Sequence, residues 1–230
     1  MSHAHDHRRI AALFADILDY PARELTGKAA ECEALLAGPV PAAADLLREF
    51  RAFTEGAPLG KLEEAYSGFF DLNPICHPYI GYQLFGENYK RSSFLLGLKE
   101  RYRAETFQSS PSEIADRLSV VLRFVAHSEG GEDTDDLVRE GLLPALERMT
   151  TRPESGDDHH DGPGDFDGDT GVERKQLDGH SHGEVLAGGF VLETSDDAEE
   201  RGARGGDAAP HPYYRALQAL HIALQETWPH

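Results

Sequence analysis

The 230-residue chain has little of what usually makes a function legible. No apolar run approaches the roughly 20 residues that span a bilayer, which argues against stable membrane insertion. The opening MSHAHDHRRI has two arginines but no apolar stretch behind them, so it does not read as a secretory signal. A cytoplasmic location is therefore expected. Only two cysteines occur, Cys32 and Cys76, and without CxxC spacing they offer no structural zinc site and say nothing of redox compartment. Basic residues are scarce, 22 against 41 acids for a net charge of −19, which excludes the Lys/Arg footprint that nucleic acid requires. P-loop, G-x-G-x-x-G and H-E-x-x-H patterns are all missing, so no cofactor is implied and a non-enzymatic protein is expected.

What is present is helical periodicity. Arg8–Tyr20 places Ile10, Leu13, Phe14, Ile17 and Leu18 on one stripe and ends at Pro21. Glu24–Leu36 repeats the pattern and stops at Gly38-Pro39. Ala42–Glu55 and Leu59–Phe70 bring Leu46, Leu47, Phe50, Phe53, Leu62, Tyr66, Phe69 and Phe70 to apolar faces. A short helix is expected from about Pro78 to Phe85 and a longer one from about Glu87 to Thr106. The next starts near Ser112 or Glu113, with Ile114, Leu118, Val121, Leu122 and Val125 as its apolar face. Thr134–Met149 and Tyr213–Thr227 complete the set. No alternating strand of useful length occurs, so the fold class is all-α, a single-domain helical bundle with mostly antiparallel neighbours. Its domain covers residues 8–150 plus 211–228.

Residues 153–210 break the pattern. They hold 12 of the chain's 23 glycines and few large apolar side chains. Between residues 153 and 209 there are 16 acids and four bases, so −12 of the net charge lies there and about −7 elsewhere. Such composition buries too little surface to offset ordering entropy, and it reads as a flexible acidic insertion. Within it only Val185–Leu192 is apolar enough to dock locally. Asp165, Asp167 and Asp169 imitate the start of an EF-hand loop, but Thr170 replaces the required Gly and Gln176 the bidentate Glu. His159, His160, His180 and His182 are weak candidates for metal ligation, since imidazoles on a flexible loop lack orienting partners. The terminal His3, His5 and His7 are weaker still. Cys76-His77, adjacent in sequence, lacks the third group that a nucleophilic pair needs.

The most informative stretch is Glu63–Phe107, which packs ten of the 19 Phe and Tyr residues into 45 positions around an Asp-Leu-Asn-Pro break. Tyr66, Phe69 and Phe70 share a helical face, and a packed core is the plainer reading of them. Tyr79, Tyr82 and Phe85 follow the break, and tyrosines tend to keep one end wet. Helices splayed at the break would expose an aromatic groove for an apolar peptide or amphipathic helix.

Phe70-Asp71-Leu72-Asn73-Pro74, then Tyr79-Ile80-Gly81-Tyr82-Gln83-Leu84-Phe85-Gly86, then Arg91 through Tyr102 form an ordered series. It resembles the NarJ-type (nitrate reductase delta subunit) branch of the TorD/DmsD family, the molybdoenzyme assembly chaperones. The opening Leu13–Pro21 and the closing PHPYYRALQAL are also similar to that family, so the likeness spans about Arg8–Met149 plus the last helix. One departure stands out. Where the family commonly has D-H-L-P-x-x-L-E-F, Arg117, Ser119 and Arg123 replace the His, Pro and Glu, while Asp116, Leu118, Leu122 and Phe124 match.

The resemblance implies a TorD/DmsD-like bundle that binds the apo catalytic subunit of a molybdopterin oxidoreductase, through its N-terminal leader peptide, and assists cofactor insertion. Tyr66, Phe70, Leu72, Pro74, Tyr79, Tyr82 and Phe85 would shape the peptide groove, with Asp71 and Asp116 as acidic contacts for a basic leader. Two alternatives stay open: an accessory subunit retained in the enzyme complex, and a metal-handling protein using the His-rich insertion.

Overall fold

The computed structural model describes residues 2–72, 74–151 and 210–228, with side chains from His7 onward. The acidic insertion, its Val185–Leu192 piece and its Asp165, Asp167 and Asp169 run lie outside the described residues. So do the histidines His159, His160, His180 and His182. The described chain is all-helical, with a single isolated antiparallel bridge between Tyr79 and Arg117.

Helix α1 (Ser2–Ile17) packs against α7 (Leu118–His127) and α2 (Leu25–Leu36); α3 (Pro41–Gly56) lies between α2 and α10 (Pro212–Thr227). Proline supplies the first helical residue of both α3 and α10, where its missing N–H costs nothing. Helix α4 (Leu59–Phe70) leads to the short α5 (Ile80–Phe85) and then α6 (Tyr89–Ala104), which Asn88 caps by accepting from the Lys90 N–H at 3.1 Å. Leu13, Phe14 and Ile17 of α1, Leu47 and Phe50 of α3, Val121 and Leu122 of α7, and Leu217 and Leu220 of α10 are fully buried.

The predicted helix over 134–149 is a continuous run from Glu132 to Thr150. Its α8 (Glu132–Asp136) and α9 (Leu143–Thr150) ends flank a π-helical stretch, Leu137–Leu142. Pro144 explains the wider turn. A proline inside an α-helix removes an N–H and drives its ring into the carbonyl four residues earlier, and a π stretch relaxes that ladder.

Helix α7 starts later than its sequence pattern predicts. Residues 112–117 are not helical, because the Ile80 N–H donates to the Asp116 carbonyl (2.8 Å) and the Leu118 N–H to the Pro78 carbonyl (2.8 Å). Those bonds pin residues 116–118 against residues 78–80, after a turn that the Arg117 N–H closes on the Ile114 carbonyl (3.0 Å). Ile114 consequently falls outside the core, at 46% exposure.

Tyr213 closes the core. Its ring meets Phe50, Tyr66 and Phe70 at centroid distances of 5.3, 5.4 and 5.5 Å, all edge-on. His211 caps α10 by accepting from the Tyr213 N–H at 3.3 Å and stacks on Phe69 at 4.6 Å.

At the end of α6 the Phe107 N–H returns to the Tyr102 carbonyl (2.8 Å) and the Thr106 N–H to that of Arg103 (3.2 Å). This is a Schellman cap, with the Phe107 ring resting on Tyr102 at 5.0 Å. Its left-handed position, usually glycine, is Thr106 at φ +55°. A β-branched residue is strained there. Thr106→Gly is expected to raise stability by about 1 kcal/mol, read as a higher urea midpoint at unchanged slope.

Two histidines give stability a pH dependence. Burial holds His211 below the ordinary histidine value of 6.5. Burial does the same for His221, against an opposing pull from Glu147. A histidine harder to protonate folded than unfolded binds protons on unfolding, so its contribution is full above 6.5 and is lost as pH falls below it. Melting temperature should therefore drop on acidification through this range. His211→Asn, which caps without titrating, should flatten the curve. Unchanged steepness in that variant would assign the effect elsewhere.

Candidate functional site

The Asp-Leu-Asn-Pro break becomes a protruding loop. After Phe70 the Asp71 and Leu72 N–H groups both return to the Ser67 carbonyl, at 3.0 and 2.7 Å, and terminate α4. The chain then swings outward, leaving Leu72 73% and Ile75 65% exposed, and dives back where Cys76 and Pro78 are buried. A bond from the Cys76 N–H to the Phe69 carbonyl (3.1 Å) closes the loop on α4. Asn73 itself lies outside the described residues.

Beyond the loop, α5 is pressed against a buried ion pair. The Asp116 side chain is fully buried and accepts from Arg91 Nε at 2.9 Å and Nη2 at 3.3 Å. A two-donor guanidinium bond of this kind keeps an otherwise costly buried carboxylate satisfied. The same guanidinium lies 5.4 Å from the Tyr79 ring centre and 5.8 Å from that of Tyr82. Gly81 makes this closeness possible. A Cβ there would stand 2.8 Å from Asp116 Oδ2 and 2.9 Å from Phe94 Cδ1.

Beside the loop is a cleft of about 280 Å³, bordered by Ile75, His77, Tyr82, Gln83, Arg148 and Tyr214. The His77 and Tyr82 rings meet at 4.3 Å, and Gln83 Nε2 donates to the His77 carbonyl at 2.9 Å. Arg148 donates to the carbonyls of Gln83 and Leu84, and Tyr214 to that of Thr150. The rim is thus held by bonds from α9 to the end of α5 and from α10 to the end of α9. An apolar floor with a few fixed polar groups suits an extended or helical peptide bearing apolar side chains. Cys76 offers no thiolate here, since burial pushes its pKa up to about 12.

The sequence-predicted groove residues separate into two groups. Leu72 and Asp71 are exposed, and Pro74, Tyr79, Tyr82 and Phe85 are half-buried around the loop and α5. Tyr66, Phe70 and Asp116 are corrected to the interior, at 0, 3 and 0% exposure. Tyr66 and Phe70 belong to the packing around Tyr213. Asp116 is consumed by Arg91, so its charge is unavailable to a ligand. Sequence reasoning missed Ile75, an exposed apolar residue inside the break itself. It also missed His77, Gln83, Arg148 and Tyr214, whose proximity no spacing rule predicts.

The two arginines that depart from the family pattern share one partner. Arg123 donates to Asp19 Oδ2 at 2.6 Å and Arg117 to Asp19 Oδ1 at 3.4 Å. Arg117 also donates to Glu113 (2.8 Å) and to the Tyr66 hydroxyl (2.7 Å). Burial raises the Tyr66 pKa to about 12 against the opposing pull of Arg117, so the hydroxyl is a neutral acceptor. These arginines tie α7 to the end of α1 and to α4.

Among the described residues no group of three or more His, Cys, Asp or Glu side chains is placed to hold a metal ion. Gly179-His180-Ser181-His182-Gly183 also spells the G-x-S-x-G of a nucleophile elbow, which needs a buried strand before it. The preceding Glu173–Asp178 is largely polar, and the run lies outside the described residues. No helix among the described residues is long and apolar enough to cross a membrane. No protein-family model matches the chain, and a search of curated proteins finds no match. The family resemblance therefore rests on the ordered motifs alone.

Gly81→Ala tests the tight approach of α5 to the ion pair. It should destabilise by about 1–3 kcal/mol, as overpacked cores do. Gly68→Ala, where an added Cβ meets nothing within 4 Å, serves as control in the same urea titration. Equal midpoints would disprove the close contact.

Proposed function

We propose that this protein is a system-specific assembly chaperone, not an enzyme. It holds the apo catalytic subunit of a molybdenum-cofactor oxidoreductase, nitrate reductase-like in kind by the motifs it resembles, through the subunit's N-terminal leader. The observation that carries the reading is the exposure of Leu72 and Ile75, at 73 and 65%, beside an aromatic-rimmed cleft. Two large apolar side chains at the tip of a loop cost solvation unless a partner covers them. They sit inside the motif series that resembles the NarJ-type chaperones, and Ile75 borders the same cleft as Tyr82. The acidic balance of the chain favours a basic leader over an acidic one. The acidic contact assigned to Asp116 passes to Asp71, which is exposed next to Leu72. The client is held in the cytoplasm while its cofactor enters, and the chaperone then leaves.

Capture from cells with the tagged full chain, followed by mass spectrometry, should recover a molybdopterin oxidoreductase catalytic subunit lacking its cofactor. The double variant Leu72→Asp with Ile75→Asp should weaken binding of that subunit's synthetic leader about 100-fold, since each buried apolar side chain contributes about 1.5–3 kcal/mol. Recovery of mature, cofactor-loaded enzyme at fixed stoichiometry would identify an accessory subunit instead. Unchanged leader affinity in the double variant would remove this loop from the reading.

A further inference from the structure

A second surface, sharing no residue with the cleft beside Leu72, lies on the outer side of α6. Tyr89, Ser92, Leu96, Lys99 and Arg103 recur at intervals of three and four, and all are exposed. That spacing lays them along one seam of the helix, the arrangement by which one helix receives another. The first part of the seam is apolar, with Tyr89 75% and Leu96 60% exposed. The last part is cationic, and it opens into a cleft of about 400 Å³ whose walls include Lys99, Arg103, Thr106, Phe107 and Ser109.

Cations without a carboxylate partner are concentrated on α6. Carboxylates outnumber cations 41 to 22, so a cation would be expected to find a partner easily. Arg48, Arg51, Lys61, Arg117 and Arg123 all do. On α6 only Arg91 does, in its bond to Asp116. Lys90, Lys99, Arg101 and Arg103 form no ion pair among the described residues, and Glu100 is the single acid of the helix. Favourable interaction of Arg101 and Arg103 with the carboxyl end of α6 accounts for cations in its last turn. It does not account for the exposed tyrosine and leucine aligned with them.

We infer that the Tyr89–Arg103 seam of α6 is a docking face for an acidic amphipathic helix of a partner protein. The partner helix runs antiparallel to α6. Its apolar residues cover Tyr89 and Leu96, and Asp or Glu in its first turns meets Lys99 and Arg103. Carboxylates near a helix N-terminus are also favoured by that helix's own dipole, so the antiparallel direction satisfies both demands. This site selects an acidic ligand, whereas the loop proposed for the leader selects a basic one. The two are independently testable.

The probe is a labelled synthetic amphipathic peptide of about 20 residues with Leu at heptad core positions and Glu flanking them, long enough to form several helical turns. A matched peptide with every Glu replaced by Lys is the control. Fluorescence anisotropy with the full chain should show binding of the acidic peptide alone, weakening as salt is raised. Lys99→Glu with Arg103→Glu, and separately Leu96→Glu, should each reduce affinity about tenfold or more. All three positions are exposed, and thermal melts of the variants check that the fold is kept. Equal binding of the Lys peptide, no binding of the acidic one, or unchanged affinity in both variants would overturn the inference. Sedimentation showing a dimer that Leu96→Glu dissociates would also overturn it, making the seam a contact between copies of this chain.

Discussion

One buried carboxylate sets the positions of three helices. Asp116 lies at the start of α7, is bonded by Arg91 of α6, and is approached by Gly81 of α5 so closely that no side chain fits between them. An unpaired charge at that depth would cost several kcal/mol, so the arginine cannot be elsewhere while the fold persists. The backbone reinforces the demand, because the Asp116 carbonyl and the Leu118 N–H pair with residues 80 and 78. Placing α5 there brings Tyr79 and Tyr82 over Arg91 and puts Tyr82 and Gln83 at the rim of the cleft.

A second polar cluster ties the ends of other helices together. Asp19, just past α1, receives Arg117 and Arg123, and Arg117 continues to the Tyr66 hydroxyl. Tyr66 in turn faces Tyr213 of the last helix. Side chains from α1, α4, α7 and α10 are therefore in one connected network. The two arginines that depart from the family's usual residues are accommodated by acids this chain already carries. The outward-facing features, the Leu72–Ile75 loop and the seam of α6, contribute nothing to that network. Their apolar exposure is left over after the core is satisfied, which is the physical reason to assign them to partners.

The helices were legible because each buries a stripe that recurs at helical spacing. Leu59–Phe70 agrees at both ends and most others within about two residues, while α1 begins at Ser2, six residues before the predicted Arg8, and ends at Ile17, three before the predicted Tyr20. The start of α7 was not legible. Ile114 continues its apolar periodicity, but the backbone at Asp116 and Leu118 is claimed by Ile80 and Pro78, far earlier in the chain, and residues 114–117 turn instead of coiling. The aromatic block was readable as important but not as inside or outside. Tyr66 and Phe70 are aromatic like Tyr79 and Tyr82, and the return of Tyr213 is a tertiary contact that makes the first pair core.

By itself the sequence determined an all-helical fold for the described residues, the places where most of its helices stop, the location of the aromatic break and the segregation of acidic charge. These follow from local spacing, from proline and glycine, and from composition, none of which needs a distant partner. Tertiary structure alone decided that Asp116 is a buried structural charge, that Ile75 and Leu72 face solvent, and that Arg148 and Tyr214 stand beside Tyr82. Exposure and proximity belong to pairs of residues far apart in the chain, and a one-dimensional pattern carries no information on which pairs will meet.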